Sequence, residues 1–338
     1  MQRTKTLPIA ITALPMHTEV ARPRRHLSLH ARARLNALIR QFFADRGVLE
    51  VETPILSAAG NTDPNIDSFH TEFSGHGDAG ARRRWLRTSP EFPLKRLLAE
   101  GIGDCYELGR VFRNGEVGAS HNPEFTLLEW YRLDWDHRRL AQELAELVVA
   151  AMASVGQPIR VREQRYADWF QQALGLDPLS APLAELQAVL SEVRIDGHGL
   201  DRDDWLDLII SHRLQAANPA GQLLIVYDYP ASQCALARIR PDIPPIAERF
   251  EAYLGATELA NGYHELKHAD EQRGRFQRDQ QRRRERGLVV PNLDEALLAA
   301  LPTLPDCAGV ALGVDRLLQA LLGTPDIRDL LAFDFARA

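Results

Sequence analysis

Residues 110–131 constrain the fold of this chain more than any other stretch. Two apolar runs, at 105–112 and 125–132, read as strands, and a polar loop joins them. Strands joined in this way pair antiparallel. The loop carries Arg113, Glu116, His121, Asn122 and Glu124, and Phe125, Glu129 and Tyr131 follow. An arginine offers a fixed fork of donors that suits a phosphate, and an aromatic ring offers a face on which a base can stack. The segment therefore points to nucleotide handling without a glycine-rich phosphate loop.

The rest of the chain supplies more strands and the helices to cover them. Leu35, Leu38, Ile39, Phe42 and Phe43 share one face of a helix expected over 29–46, which Gly47 closes. Shorter strands are expected at 48–54, 85–88, 223–228, 249–254 and 258–266, and Phe69 and Phe73 suggest a hairpin within the loop of 61–80. Helices are expected at 93–100, 135–154 and 269–286, and a strand-turn-helix spans 309–322. Residues 156–220 form a mostly helical block, with helices near 166–174, 183–193 and 203–216, and read as a candidate insertion. Residues 1–26, with Pro8, Pro15 and Pro23, read as a partly ordered extension, and 27–338 as the catalytic domain. The sum is an α+β architecture, a largely antiparallel sheet flanked by helices.

Composition excludes several classes. At −6 the net charge gives no long-range pull toward nucleic acid. Cys105, Cys234 and Cys307 are far apart and form no CxxC pair, which fits buried thiols in a reducing cytoplasm. No apolar run is long enough to span a bilayer, and no secretory signal opens the chain.

Three segments together resemble the three motifs of the class II aminoacyl-tRNA synthetases. They are the helix ending in Val51-Glu-Thr-Pro54, the run Phe112-Arg-Asn through His121-Asn-Pro-Glu-Phe125, and Gly309-Val-Ala-Leu-Gly-Val-Asp-Arg316. Thr88-Ser-Pro-Glu91, Leu94-Lys-Arg-Leu97 and Glu258-Leu-Ala-Asn-Gly-Tyr-His-Glu265 narrow the likeness to the lysyl-tRNA synthetase group. Only some 26 residues precede the first motif helix, too few for the anticodon-binding barrel of such a synthetase. The chain is similar instead to the stand-alone branch whose members modify elongation factor P with (R)-β-lysine. Trp130 in Glu-Trp-Tyr-Arg and Ala311, where the synthetases usually have glycine, both fit that branch.

The resemblance implies an ATP- and Mg²⁺-dependent enzyme. It would adenylate (R)-β-lysine or lysine and transfer it to a lysine ε-amino group of elongation factor P. It also implies a cytoplasmic homodimer with no membrane and no tRNA partner. Arg113 and Arg316 would be catalytic, on the α-phosphate and the far end of a bent ATP. Asn114, Gly115, Asn122, Phe125, Glu258, Leu259 and Gly313 complete the implied ATP contacts, and Glu251 and Glu258 would hold Mg²⁺. Ser89, Pro90, Glu91, Glu129, Tyr131, Asn261, Glu265 and Ala311 are the implied amino-acid contacts, with Glu91 and Glu265 the leading partners for the ammonium groups. A tRNA-charging truncated synthetase and a non-catalytic synthetase-like subunit are the rival readings.

Three details stand apart. The family usually has glutamate where this chain has Gly115, with Glu116 next, which bears on adenine recognition. Strand alternation places Asn261, Tyr263 and Glu265 on one face and Glu258 on the other, so an ATP role for Glu258 requires a bulge, for which Gly262 is a candidate. His264-Glu-Leu-Lys-His268 matches the HExxH zinc pattern, but it follows a strand-like run and reads as a decoy. Arg282-Arg-Arg284 reads as a solvated helix face, and His121 as a residue that orders its loop.

Overall fold

The computed structural model describes residues 24–338. The extension expected over 1–26 lies outside the described residues, apart from 24–26, which open the first helix. That helix, α1 (Arg24–Ala44), buries Leu35, Ile39, Phe42 and Phe43. Gly47 ends it with φ +68°, a conformation a side chain would strain.

The run 48–54 pairs over only two residues, β1 (Leu49–Glu50), because Pro54 has no N–H to offer and the Thr53 carbonyl is taken by Arg87. Three short strands follow as a small sheet of their own in the order β2–β4–β3: β2 (Leu56–Ser57), β3 (His70–Glu72) and β4 (Arg83–Leu86). Then come α2 (Glu91–Ala99), β5 (Cys105–Phe112), β6 (Glu124–Leu133) and α3 (His137–Ser154). The next segment holds β7 (Arg160–Arg165), α4 (Tyr166–Leu174), α5 (Leu183–Val189) and α6 (Arg202–Ile209). The chain closes with β8 (Gln222–Pro230), β9 (Ile239–Arg240), β10 (Ile246–Leu254), β11 (Thr257–His264), α7 (Ala269–Glu285), α8 (Glu295–Ala300), β12 (Cys307–Gly313) and α9 (Val314–Leu322).

The main sheet runs β1–β5–β6–β12–β11–β10–β8–β7, with β9 beside β10. Only the outer pairs, β1 with β5 and β7 with β8, are parallel. The expected α+β architecture, antiparallel sheet and flanking helices, is what forms. One face of the sheet is apolar: Leu128 and Trp130, Phe250 and Ala252, and Val310 and Leu312 meet α1, α3 and α9. Each fully buried leucine, valine or phenylalanine among them contributes roughly 1.5–3 kcal/mol. Period-two alternation therefore presents Glu129, Tyr131, Glu251, Tyr253, Gly309 and Ala311 on the other face.

The block at 156–220 is stitched into this sheet. It begins with β7, a strand whose Arg-Val-Arg-Glu-Gln-Arg sequence has no apolar face and which exists through its pairing with β8. Its helices then pack Tyr166, Trp169 and Phe170 against Tyr229 and Tyr253 of the sheet. The block thus walls one end of the polar face. The helix expected at 203–216 is α6 followed by a wide π-type turn, Ile210–Leu214.

Candidate active site

The polar face of the sheet opens into a cleft of about 700 Å³. Of the residues expected at a site, Pro90, Asn114 and Gly115 do not line it, and all the others do. Pro90 stands at the N-terminus of α2. Asn114 turns away to Asp67, as its backbone N–H and its side-chain amide both donate there. Gly115 has φ +82°, in the left-handed region where a glutamate would be strained. Its neighbour Glu116 lines the cleft instead, 3.8 Å from Arg113.

One end of the cleft is acidic. The Ser89 hydroxyl donates to Glu129 Oε2 at 2.5 Å and accepts from the Glu91 N–H at 2.9 Å, which fixes the start of α2. The Tyr131 hydroxyl donates to Glu129 Oε1 at 2.8 Å. Burial pushes the Glu129 carboxyl up to about 8, and the charge of Glu91 adds to the effect. Glu265 follows β11 and is almost wholly buried. Ala311 sits on the floor, opposite Glu129 on β6 and Asn261 on β11.

Sequence reasoning missed Lys95. Its ammonium lies 2.6 Å from Glu91 Oε1 and 2.5 Å from Glu265 Oε2, so the two leading partners for a ligand ammonium already share a resident cation. Burial works against the lysine charge, but Glu265 and Glu91 outweigh it and hold Lys95 well above the usual lysine range. The i,i+4 spacing from Glu91 was visible; the contact with Glu265, across 170 positions, was not.

Near the middle, Arg249 was missed as well. It binds Glu251 and approaches Asn261 Oδ1 at 3.3 Å, and Asn261 donates to the Tyr263 hydroxyl at 2.9 Å. Glu251 also accepts from the hydroxyls of Tyr229, at 2.8 Å, and Tyr253. Asp207, from α6, lines the cleft nearby, pushed up to about 7 by burial and by Glu251.

Glu258 does reach the cleft, and a bulge brings it there. Ala252 pairs with Ala260, but Tyr253 pairs with Glu258, so Leu259 is an extra residue in β11. The bulge lies upstream of the expected Gly262. That glycine instead makes room for the Phe250 ring, which would lie 2.4 Å from a Cβ.

The other end carries Arg113 and Arg316, with Glu116 and Glu258 beside them. Arg316 stands in the first turn of α9 rather than at the end of a strand. It donates to the Glu258 carbonyl at 2.8 Å and meets His121 Nε2 at 2.7 Å. Burial and Arg316 lower the His121 pKa and favour the neutral ring, whose Nε2 is engaged by Arg316. The Arg113 guanidinium lies 5.1 Å from the Phe125 ring centre. Asn122 bonds the Glu124 carbonyl at 2.6 Å and accepts from the Phe335 N–H at 3.0 Å. Gly313 and Leu259 border the same end.

The HExxH reading fails on geometry. His264 ends β11, Glu265 faces Lys95, and His268 is exposed before α7, so the two histidines share no helix face. His264, His137 and Glu248 do lie close enough to hold a metal, but Arg238 and Arg240 already pair with Glu248 there. In the arginine run of α7, Arg282 and Arg284 are exposed as expected, and Arg283 departs from expectation. Arg283 is buried and anchors the 61–67 loop through Asp67 at 2.6 Å and the Asp63 carbonyl at 2.7 Å.

The profile of the tRNA synthetases class II (D, K and N) matches residues 15–337. The chain belongs to this class II synthetase family. Among curated relatives, the elongation factor P–(R)-β-lysine ligase of Vibrio vulnificus is 46% identical over 311 residues, 91% of this chain and 95% of the relative. The ligase of the same name from Mannheimia succiniciproducens is 44% identical over 308 residues, 90% of this chain and 94% of the relative. That of Klebsiella pneumoniae is 44% identical over 315 residues, 92% and 96% of the two chains. This chain is accordingly an enzyme of the ligase type, built on the class II synthetase domain.

Proposed function

We propose that this enzyme uses ATP to activate (R)-β-lysine or lysine and passes it to a lysine ε-amino group of elongation factor P. The observation that carries the reading is one cleft with Glu91, Glu129 and Glu265 at one end and Arg113 and Arg316 at the other. The acidic end suits an amino acid with two ammonium groups. The arginine end suits a polyphosphate. The acceptor and the amino acid come from the names of the relatives.

In the first step a carboxylate oxygen of the amino acid attacks the α-phosphorus, and pyrophosphate leaves with the electron pair of the broken P–O bond. Arg113 is placed to stabilise charge growing on the α-phosphoryl oxygens, and Arg316 to hold the outer phosphates. Phe125 supplies a stacking face for the adenine, and Glu116 takes the place of the family glutamate that position 115 lacks. Glu251 and Glu258 would hold Mg²⁺, which neutralises phosphate charge when bound. The fit is chemical: partial burial and the charge of Glu251 push the Glu258 carboxyl up, a repulsion that a divalent cation relieves.

In the second step the acceptor amine attacks the activated carbonyl carbon. An amide forms, AMP leaves, and the nitrogen sheds a proton to solvent. No side chain in the cleft is a clear base, and proximity to a reactive acyl group supplies the rate.

The exposed Leu49, Ile55 and Leu56 beside β1 and β2 support the homodimer implied by the first motif. Among the described residues no helix is long and apolar enough to cross a membrane, and a substrate belonging to the translation machinery supports a cytoplasmic site of action. Pyrophosphate exchange with ATP and each lysine isomer tests the first step. Exchange dependent on the amino acid is expected; none with either isomer would overturn the reading.

A further inference from the structure

The acidic end of the cleft carries its own cation, and the charges there can be counted. Lys95 is 1% exposed and sits on α2, between Glu91 one turn before it and Glu265 from the end of β11. Glu129 is 3% exposed and is bound by the hydroxyls of Ser89 and Tyr131. Glu265 Oε2 meets Lys95 as an ion pair, while its Oε1 is buried and receives no hydrogen bond among the described residues. A buried carboxylate oxygen without a donor is costly, and this one borders the cleft.

With Glu91, Glu129 and Glu265 all ionised, the Lys95 ammonium leaves two negative charges; burial alone raises Glu129 to about 8 and Glu265 to about 7. A lysine-like amino acid brings two ammonium groups. We infer that Lys95 is a positioning residue that sets this balance: its two ion pairs hold the Glu91 and Glu265 carboxyl groups in place, so the pocket fits an amino acid with two ammonium groups. The inference rests on the proposed function. Without Lys95, three carboxylates would crowd one low-dielectric pocket and could not all ionise. Binding the same amino acid would then require the release of more protons. The other titratable groups facing this cluster are Tyr131, Tyr263 and the thiols of Cys105 and Cys307, and burial raises the pKa of each. His264 is turned away, toward Glu248 and Asp306.

The test is amino-acid-dependent pyrophosphate exchange between about pH 6 and 9. Lys95→Met is expected to raise KM for the amino acid at least about tenfold, with KM for ATP little changed. It should also move the rising limb of kcat/KM to higher pH and steepen it. The double variant Lys95→Met/Glu91→Gln removes one charge of each sign, and its limb should return to the wild-type position even if KM stays high. A merely structural role for Lys95 would lower kcat/KM uniformly across pH. That result in Lys95→Met, or a displaced limb in the double variant, overturns the inference. If Lys95→Met does not fold, the position of the limb in the double variant decides alone. Failure of the underlying function would show separately, as absence of exchange by the wild-type enzyme.

Discussion

A Cβ added at Gly309 would stand 2.2 Å from the Tyr131 ring and 2.6 Å from Glu265 Oε1. Gly309 and Tyr131 face each other across the β6–β12 pair, so the absence of a side chain at one makes room for the other. Gly309→Ala would displace both Tyr131 and Glu265. The expected outcome is loss of amino-acid activation by about a hundredfold or more, with ATP binding retained. Fluorescence titration with ATP alongside pyrophosphate exchange checks this, and equal loss of both functions would contradict it.

Glu129 gives the activity a pH dependence. Its carboxyl is raised to about 8 by burial and by Glu91. It must be ionised to pair with a ligand ammonium, so kcat/KM for the amino acid should fall as pH drops below about 8. Stability runs the other way. A raised carboxyl stabilises the fold while protonated, and that contribution is lost as pH rises through the folded value. Glu129→Gln should therefore flatten the activity limb, lower kcat/KM by about a hundredfold, and reduce the loss of Tm as pH rises from about 4.5 to about 8. An unchanged limb in the variant would be the contrary result.

Much of this site was legible because it lies on regular strands. Alternation alone separates Glu129 and Tyr131 from the core residue Trp130, which donates to Glu143 at 3.0 Å. Gly309, Ala311 and Gly313 follow the same rule on β12. The bulge at Leu259 was legible only as a requirement, because Leu259 and Ala260 are both apolar and neither marks which one is extra. Lys95 was passed over because its second partner, Glu265, is distant in sequence. β7 could not be read as a strand, since its charged residues gain their conformation from pairing with β8. Arg283 looked solvated because burial of one arginine in a run of three depends on the 61–67 loop folding over it.

The two arginines should affect rate more than binding. Arg113 borders Phe125 and Glu116, and Arg316 is held by the Glu258 carbonyl and His121. Replacing either with alanine is expected to lower kcat for adenylation about 10²–10³-fold. Single-turnover measurement of adenylate formation checks this, and a change confined to KM for the amino acid would argue against their placement at the phosphates.

Glu258 should set the demand for Mg²⁺. The bulge aims it into the cleft beside Glu251, and their repulsion is what a divalent cation relieves. Glu258→Gln is expected to raise the Mg²⁺ concentration for half-maximal exchange about tenfold or more. A metal titration of exchange activity reads it directly; an unaltered Mg²⁺ dependence would remove Glu258 from the metal site.

The central claim is that one cleft activates a lysine-like amino acid and delivers it to elongation factor P. Mass spectrometry of elongation factor P after incubation with this enzyme, ATP and each lysine isomer tests it most directly. The account predicts a mass increase of one lysyl unit on a single lysine side chain, dependent on ATP and lost in Arg113→Ala. An unmodified elongation factor P, with aminoacylated tRNA appearing under the same conditions, would contradict it.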